Sequence, residues 1–146
     1  MAAGISTIFF DLGDTLGKAV LSPEPVHLVG FTVFPFVPAL LEDLQDRGIR
    51  LGIISNTGDD NGLKVDEILA AAGIRRFFED ALRLYSKDIG LSKNSEQIFR
   101  LAAGRAGVAT NACMFVGEDD QERNYAQGAG MCVASDPLGA AELLDG

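Results

Sequence analysis

The chain has 146 residues, room for one domain; with 47% apolar and 23% charged residues it can bury a core, which excludes a disordered chain. Its 12 basic and 21 acidic residues leave a net charge of −9, so the surface repels phosphate backbones and general nucleic-acid binding is not expected. No apolar run approaches the roughly 20 residues that span a bilayer. The Met1–Ile5 stretch lacks the basic region and long apolar run of a secretory signal, so a cytoplasmic protein without membrane contact is expected. Cys113 and Cys132 both lie in apolar, strand-like runs and read as buried structural thiols, not as a zinc site or a disulfide.

In chain order, ISTIFFD (Ile5–Asp11) reads as a strand, nearly continuous in apolar character as a strand covered on both faces must be. Lys18–Phe36 alternates loosely and has no helical period, so it reads as a β-hairpin, or flap, inserted after the first strand. Pro38–Gly48 follows as a helix with Pro38 in its first turn, then LGIISN (Leu51–Asn56) as a strand. Leu63–Gly73 is a helix, ALRLY (Ala81–Tyr85) a strand, and Asn94–Gly107 a helix capped by Asn94-Ser95. MFVG (Met114–Gly117), a helix over Glu122–Gly130, MCVA (Met131–Ala134) and a last helix near Leu138–Leu144 complete the chain. Strand–helix alternation with short connections predicts one α/β domain over 1–146: a doubly wound parallel sheet with helices on both faces.

In such sheets a site lies beyond the carboxyl ends of the strands, which singles out Asp11, Ser55-Asn56, Tyr85-Ser86 and Gly117-Glu118. Asp11 ends a buried strand before a tight turn, FFDLGDTL, and suits a nucleophile or a metal ligand, although a lone strand-end Asp is ordinarily a turn or cap residue. Ser55, Asn56 and Thr57 offer small donors for an oxyanion and are equally good turn formers. The acids of VGEDD, Glu118 to Asp120, suit a hard cation such as Mg²⁺, or a solvated loop.

Together these stretches resemble the haloacid dehalogenase superfamily, whose four motifs appear in order along nearly the whole chain. FFDLGDTL is similar to the first motif, LGIISNT to the second, GLSKNSEQIF (Gly90–Phe99) to the third and MFVGEDDQERNYAQGAGM (Met114–Met131) to the fourth. The resemblance implies a Mg²⁺-dependent phosphohydrolase with Asp11 as nucleophile, Ser55 as the phosphate-binding hydroxyl and Lys93 as the phosphate-neutralising lysine, with Lys87 as the competing lysine. It also implies Mg²⁺ held by Asp11, the Gly13 carbonyl and Glu118, with Asp119 or Glu122 as second acid. Asn56, Thr57 and Asp14 are the expected substrate-binding residues. Most phosphatases of this superfamily carry a general acid two residues after the nucleophile; here that position is Gly13, with Asp14 one further on.

The intervals from Asp11 to Ser55 and from Ser55 to Lys93, where the family inserts its substrate-enclosing caps, hold only the flap, two helices and a strand. A capless member is expected, acting on phosphate esters that are large or macromolecular, or using a second subunit as lid. Val26, Leu28, Val29, Phe31, Val33, Phe34 and Phe36 exceed what a hairpin can bury, which predicts a homo-oligomer or a partner contact through the flap. His27, the single histidine, sits in the flap and reads as a surface residue without a role, contact with a substrate being the other reading. The alternative to a slow phosphatase is a catalytically degenerate binding or interaction module of the same fold; dehalogenation is disfavoured by the acidic fourth motif.

Overall fold

A computed structural model describes residues 4–145; the Met1–Ala3 segment, on which part of the reading of the N-terminus falls, and Gly146 lie outside the described residues. β1 (Thr7–Phe10) is followed by β2 (Gly17–Leu21) and β3 (Leu28–Val33), then α1 (Val37–Asp46), β4 (Arg50–Ser55) and α2 (Gly62–Ala71). The second half holds β5 (Arg83–Tyr85), α3 (Ser86–Ile89), α4 (Gln97–Ala106), β6 (Cys113–Val116), α5 (Asp120–Ala129), β7 (Cys132–Ala134) and α6 (Pro137–Asp145). Five strands form one parallel sheet in the order β5-β4-β1-β6-β7, and β2 pairs with β3 in a separate antiparallel hairpin. Among the described residues no helix is long and apolar enough to cross a membrane.

The continuous apolar runs follow from burial on both faces. Ile8 and Phe10 of β1, Leu51 and Ile53 of β4, and Met114 and Val116 of β6 pack on one side with Leu41 and Leu44 of α1 and Val65 and Leu69 of α2. The intervening Phe9, Ile54 and Phe115 pack on the other side against Ile98, Phe99 and Ala102 of α4 and Ala126 of α5. Successive strand side chains point to opposite faces, so both registers must be apolar. Gly52 is required at its place in β4, because a Cβ there would meet Leu82 O at 2.6 Å and the Phe9 ring at 2.7 Å.

Two local details differ from the sequence expectation. The cap of α4 is Glu96, without a side-chain bond, and Ser95 Oγ instead accepts from Gln97 N at 3.3 Å, because the segment before it is drawn toward the sheet to carry Lys93. Cys113 is buried, but Cys132 on the edge strand β7 is only partly covered, since an edge strand has a neighbour on one side alone.

Chain order places the site. β4 leaves β1 on one side, and after β5 the chain crosses back to add β6 on the other, so the topological switch lies at β1. Asp11 follows the central strand directly, and its N–H donates to Val116 O of β6 at 2.9 Å. It therefore faces the ends of both β4 and β6.

Candidate active site

A cleft of about 410 Å³ opens at the carboxyl end of the sheet, floored by Asp11, Gly13, Ser55, Lys93 and Glu122 and walled by the β2–β3 hairpin. The turn after β1 is built by Leu12 O, which accepts from Thr15 N and Leu16 N. Asp14 takes the left-handed conformation in it, at φ 63°, whereas Gly13 does not, and a Cβ at Gly13 would meet nothing within 4 Å. The side chain of Asp14 is exposed, pairs with Lys18 at 2.5 Å and is absent from the cleft lining.

Lys93 is the electrostatic centre of the cleft. Only 2% exposed, its Nζ lies 2.7 Å from Asp11 Oδ1 and 2.8 Å from Glu122 Oε1, and 5.6 Å from the centroid of the Phe115 ring. A buried ammonium is tolerated where paired carboxylates and an aromatic face offset its lost hydration. Its backbone N–H donates to Asn56 Oδ1 at 2.9 Å, so the residue after β4 fixes the loop that carries the lysine. Lys87, by contrast, is exposed, and its backbone N–H contacts Thr57 Oγ1 at 3.4 Å.

Asp11 Oδ1 also accepts from Leu12 N at 2.8 Å, so one carboxylate oxygen has a hydrogen bond and the Lys93 ion pair while no protein donor reaches Oδ2 among the described residues. Ser55 is buried at the end of β4 and lines the cleft floor. Thr57 lines the cleft, but its N–H already donates to Ser86 Oγ at 2.8 Å.

The acids after β6 separate by helix phase. Glu118 and Asp119 are exposed and outside the cleft lining; the Asp119 carboxylate caps α5, accepting from Glu122 N at 2.9 Å. Glu122, three residues into the turn, faces inward. Burial raises its pKa, the Lys93 ammonium opposes that rise, and Asp11 and Asp119 add to it by repulsion. Glu122 Oε1 is buried and, although at ion-pair distance from Lys93, makes no well-directed hydrogen bond.

The sequence does not single out Asp60, and from it His27 is expected at the surface. His27 lines the cleft from the hairpin, and its Nδ1 lies 3.1 Å from Oδ1 of Asp60. Asp60 is buried and accepts from Leu28 N at 2.8 Å through Oδ2 and from Lys64 Nζ at 2.8 Å through Oδ1. These bonds, the Leu28 amide first and Lys64 next, hold its carboxyl down at about 2. Asp60 lies 33 residues from its partner, and no local signal joins them.

The family model described as haloacid dehalogenase-like hydrolase matches residues 17–121. The chain is 34% identical over 119 residues to a glyceraldehyde 3-phosphate phosphatase of Methanopyrus kandleri, covering 80% of this chain and 48% of that protein. A protein of the same name from Methanothermobacter thermautotrophicus is 34% identical over 101 residues, covering 66% of this chain and 42% of its own. The chain thus spans less than half the length of these curated relatives. A solved hydrolase from Streptococcus pneumoniae TIGR4 superposes with a TM-score of 0.75 at 15% identity, covering 97% of this chain and 99% of its own, which shows the shared fold. With the family model matched over most of its length, on a sheet whose central strand ends at Asp11, this chain belongs to the haloacid dehalogenase-like hydrolases.

Proposed function

We propose that the protein is a Mg²⁺-dependent phosphohydrolase of phosphate esters that uses Asp11 as nucleophile. The observation that carries this reading is the buried Lys93 set between Asp11 and Glu122 at the end of the central strand. Phosphatase-named relatives support it.

Among the described residues no three His, Cys, Asp or Glu side chains cluster as a complete metal cage. Mg²⁺ needs no such cage, since one or two carboxylates with waters and substrate oxygens suffice. The buried, undonated Oε1 of Glu122 and the hard oxygens of Asp11 fit that requirement. Asp11, the Gly13 carbonyl and Glu122 would hold the ion, with Glu118 and Asp119 adding negative potential from the rim. When bound, Mg²⁺ supplies charge neutralisation to phosphoryl oxygens.

The chain's own residues account for the remaining chemistry. Lys93 and the Leu12 amide hold Oδ1 of Asp11, which orients Oδ2 for attack on phosphorus and formation of an aspartyl-phosphate that water hydrolyses. The Ser55 hydroxyl and the Asn56 backbone amide offer donors to the transferring group, and Lys93 stabilises its charge. Asn56 also acts through its side chain, as the positioning residue for Lys93. Thr57 adds a wall to the cleft, and Asp14 maintains the turn that presents Gly13.

Between Asp11 and Ser55 the described chain holds only the hairpin and α1, which supports a capless site. Leu21 and Val26 at the cleft edge, with Val20 and Val29 nearby on the hairpin, are 45–64% exposed. That apolar rim suits a bulky substrate or a second copy of the chain as lid. Sedimentation at high micromolar concentration tests the second copy, and a monomer refutes it.

A second reading, a degenerate binding module, is favoured by one feature: no carboxyl stands at Gly13, where the family places its acid. A panel of phosphate esters assayed with and without Mg²⁺ decides between them, with Asp11→Asn as control. Magnesium-dependent turnover that Asp11→Asn abolishes is the expected result; absence of turnover on every ester favours the module.

A further inference from the structure

We propose that His27, oriented by Asp60, is the proton donor and acceptor of this site, replacing the acid absent at Gly13; this rests on the phosphohydrolase reading above. Displacing an alkoxide from phosphorus requires a proton on the leaving oxygen. Neither residue of the turn after β1 supplies one, since Gly13 has no side chain and the Asp14 carboxylate is paired outside the cleft.

His27 has the required placement. It hangs from the hairpin into the cleft lined by Asp11, with its side chain 37% exposed. A carboxylate can only accept, so Nδ1–H donates to Asp60 Oδ1, and Nε2 has no hydrogen-bond partner among the described residues. Asp60 is in turn fixed by the Leu28 amide, Lys64 and its own N–H, which donates to Thr57 O at 3.0 Å. A buried carboxylate on one imidazole nitrogen sets the tautomer, aims the other nitrogen and stabilises the imidazolium.

The step balances. Asp11 Oδ2 attacks phosphorus and the P–O ester bond breaks, while the imidazolium gives its Nε2 proton to the leaving oxygen, yielding the free alcohol and neutral His27. Neutral Nε2 then takes a proton from water as its oxygen attacks the aspartyl-phosphate. The P–Oδ2 bond breaks, releasing inorganic phosphate and restoring the Asp11 carboxylate and the imidazolium. The charged groups around His27 are Asp59 and Asp60 of the loop before α2, Lys64 of α2, and Asp11, Lys93 and Glu122 across the cleft.

The test uses the full chain and the fastest ester found in the panel. His27→Gln is expected to lower kcat by about 10²-fold and to abolish the fall in rate at alkaline pH. Asp60→Asn is expected to lower kcat while leaving KM nearly unchanged, as a positioning role for the imidazole requires. Gly13→Asp, for which the backbone is permissive and the space open, is expected to restore at least tenfold in the His27→Gln background. Melting temperatures of all variants are measured alongside. A kcat for His27→Gln within threefold of the parent overturns the proposal. So does a loss that Gly13→Asp leaves unrestored, which would assign His27 to fastening the hairpin alone. Asp11→Asn keeps the two readings apart: activity that survives it refutes the phosphohydrolase mechanism itself, whereas activity that requires Asp11 but not His27 refutes only this inference.

Discussion

The five-stranded sheet and the β2–β3 hairpin border the same cleft but are held by different forces. The sheet buries apolar side chains on both faces and carries Asp11 and Ser55 on strand ends that cannot move without repacking two cores, while Glu122 meets Lys93 from the first turn of α5. The hairpin buries Phe31 and leaves Val20, Leu21, Val26 and Val29 exposed; its fastening to the body near the cleft is the Asp60 network with Leu28 and His27. A rigid floor suits groups that must hold geometry to a fraction of an ångström, and a wall tied by a few polar bonds suits substrate entry.

The largest effect is expected at the floor. Asp11→Asn removes the attacking oxygen and should lower turnover of the best ester by about 10⁴-fold or more, with the fold intact by circular dichroism. Phe115→Ala probes the packing beneath it. The ring is fully buried and meets Phe99 edge to face at 5.0 Å between centroids, so urea unfolding should show a loss of about 3–5 kcal/mol. Lys93→Met tests whether the floor tolerates its carboxylates unpaired. It leaves Asp11 and Glu122 facing each other with little solvent, and a loss of about 3 kcal/mol is expected at neutral pH. That loss should shrink in acid as the carboxylates protonate.

At the hairpin the effects are smaller and depend on pH. The Asp60 carboxyl is held down from 3.8 to about 2, so its ionised form stabilises the fold above its unfolded value. That contribution is lost as pH falls from about 4 through about 2. Asp60→Asn should therefore be less stable than the parent at neutral pH, with the two converging across that window, as read by urea midpoints. A gap that persists at pH 2 would mean that the carboxylate charge is not what fastens the hairpin. Val29→Ser, at a position 56% exposed, should change stability by no more than about 0.5 kcal/mol. A larger loss would show that this face of the hairpin is covered in solution.

The amino-acid sequence by itself determined the parallel sheet, its helices, the hairpin and the strand ends where the site lies. Those features rest on local periodicity: ISTIFF and LGIIS must be apolar in both registers wherever they are packed from two sides. What only the tertiary structure decided is which polar groups meet. Four acids, Glu118, Asp119, Asp120 and Glu122, stand within five residues in nearly equivalent sequence surroundings, yet spending Asp119 on the α5 cap turns Glu122 toward Lys93 and leaves Glu118 in solvent. Lys93 and Lys87 each follow a strand or a turn, and the Asn56 bond that draws one of them under the sheet is made across 37 residues. His27 looked like a surface residue because its partner, Asp60, is distant in the chain and close only after the hairpin folds over the loop before α2. Apolar burial is read from spacing because it depends on a residue's own side of an element, whereas a hydrogen bond or ion pair depends on two elements arriving together, and that is settled by packing.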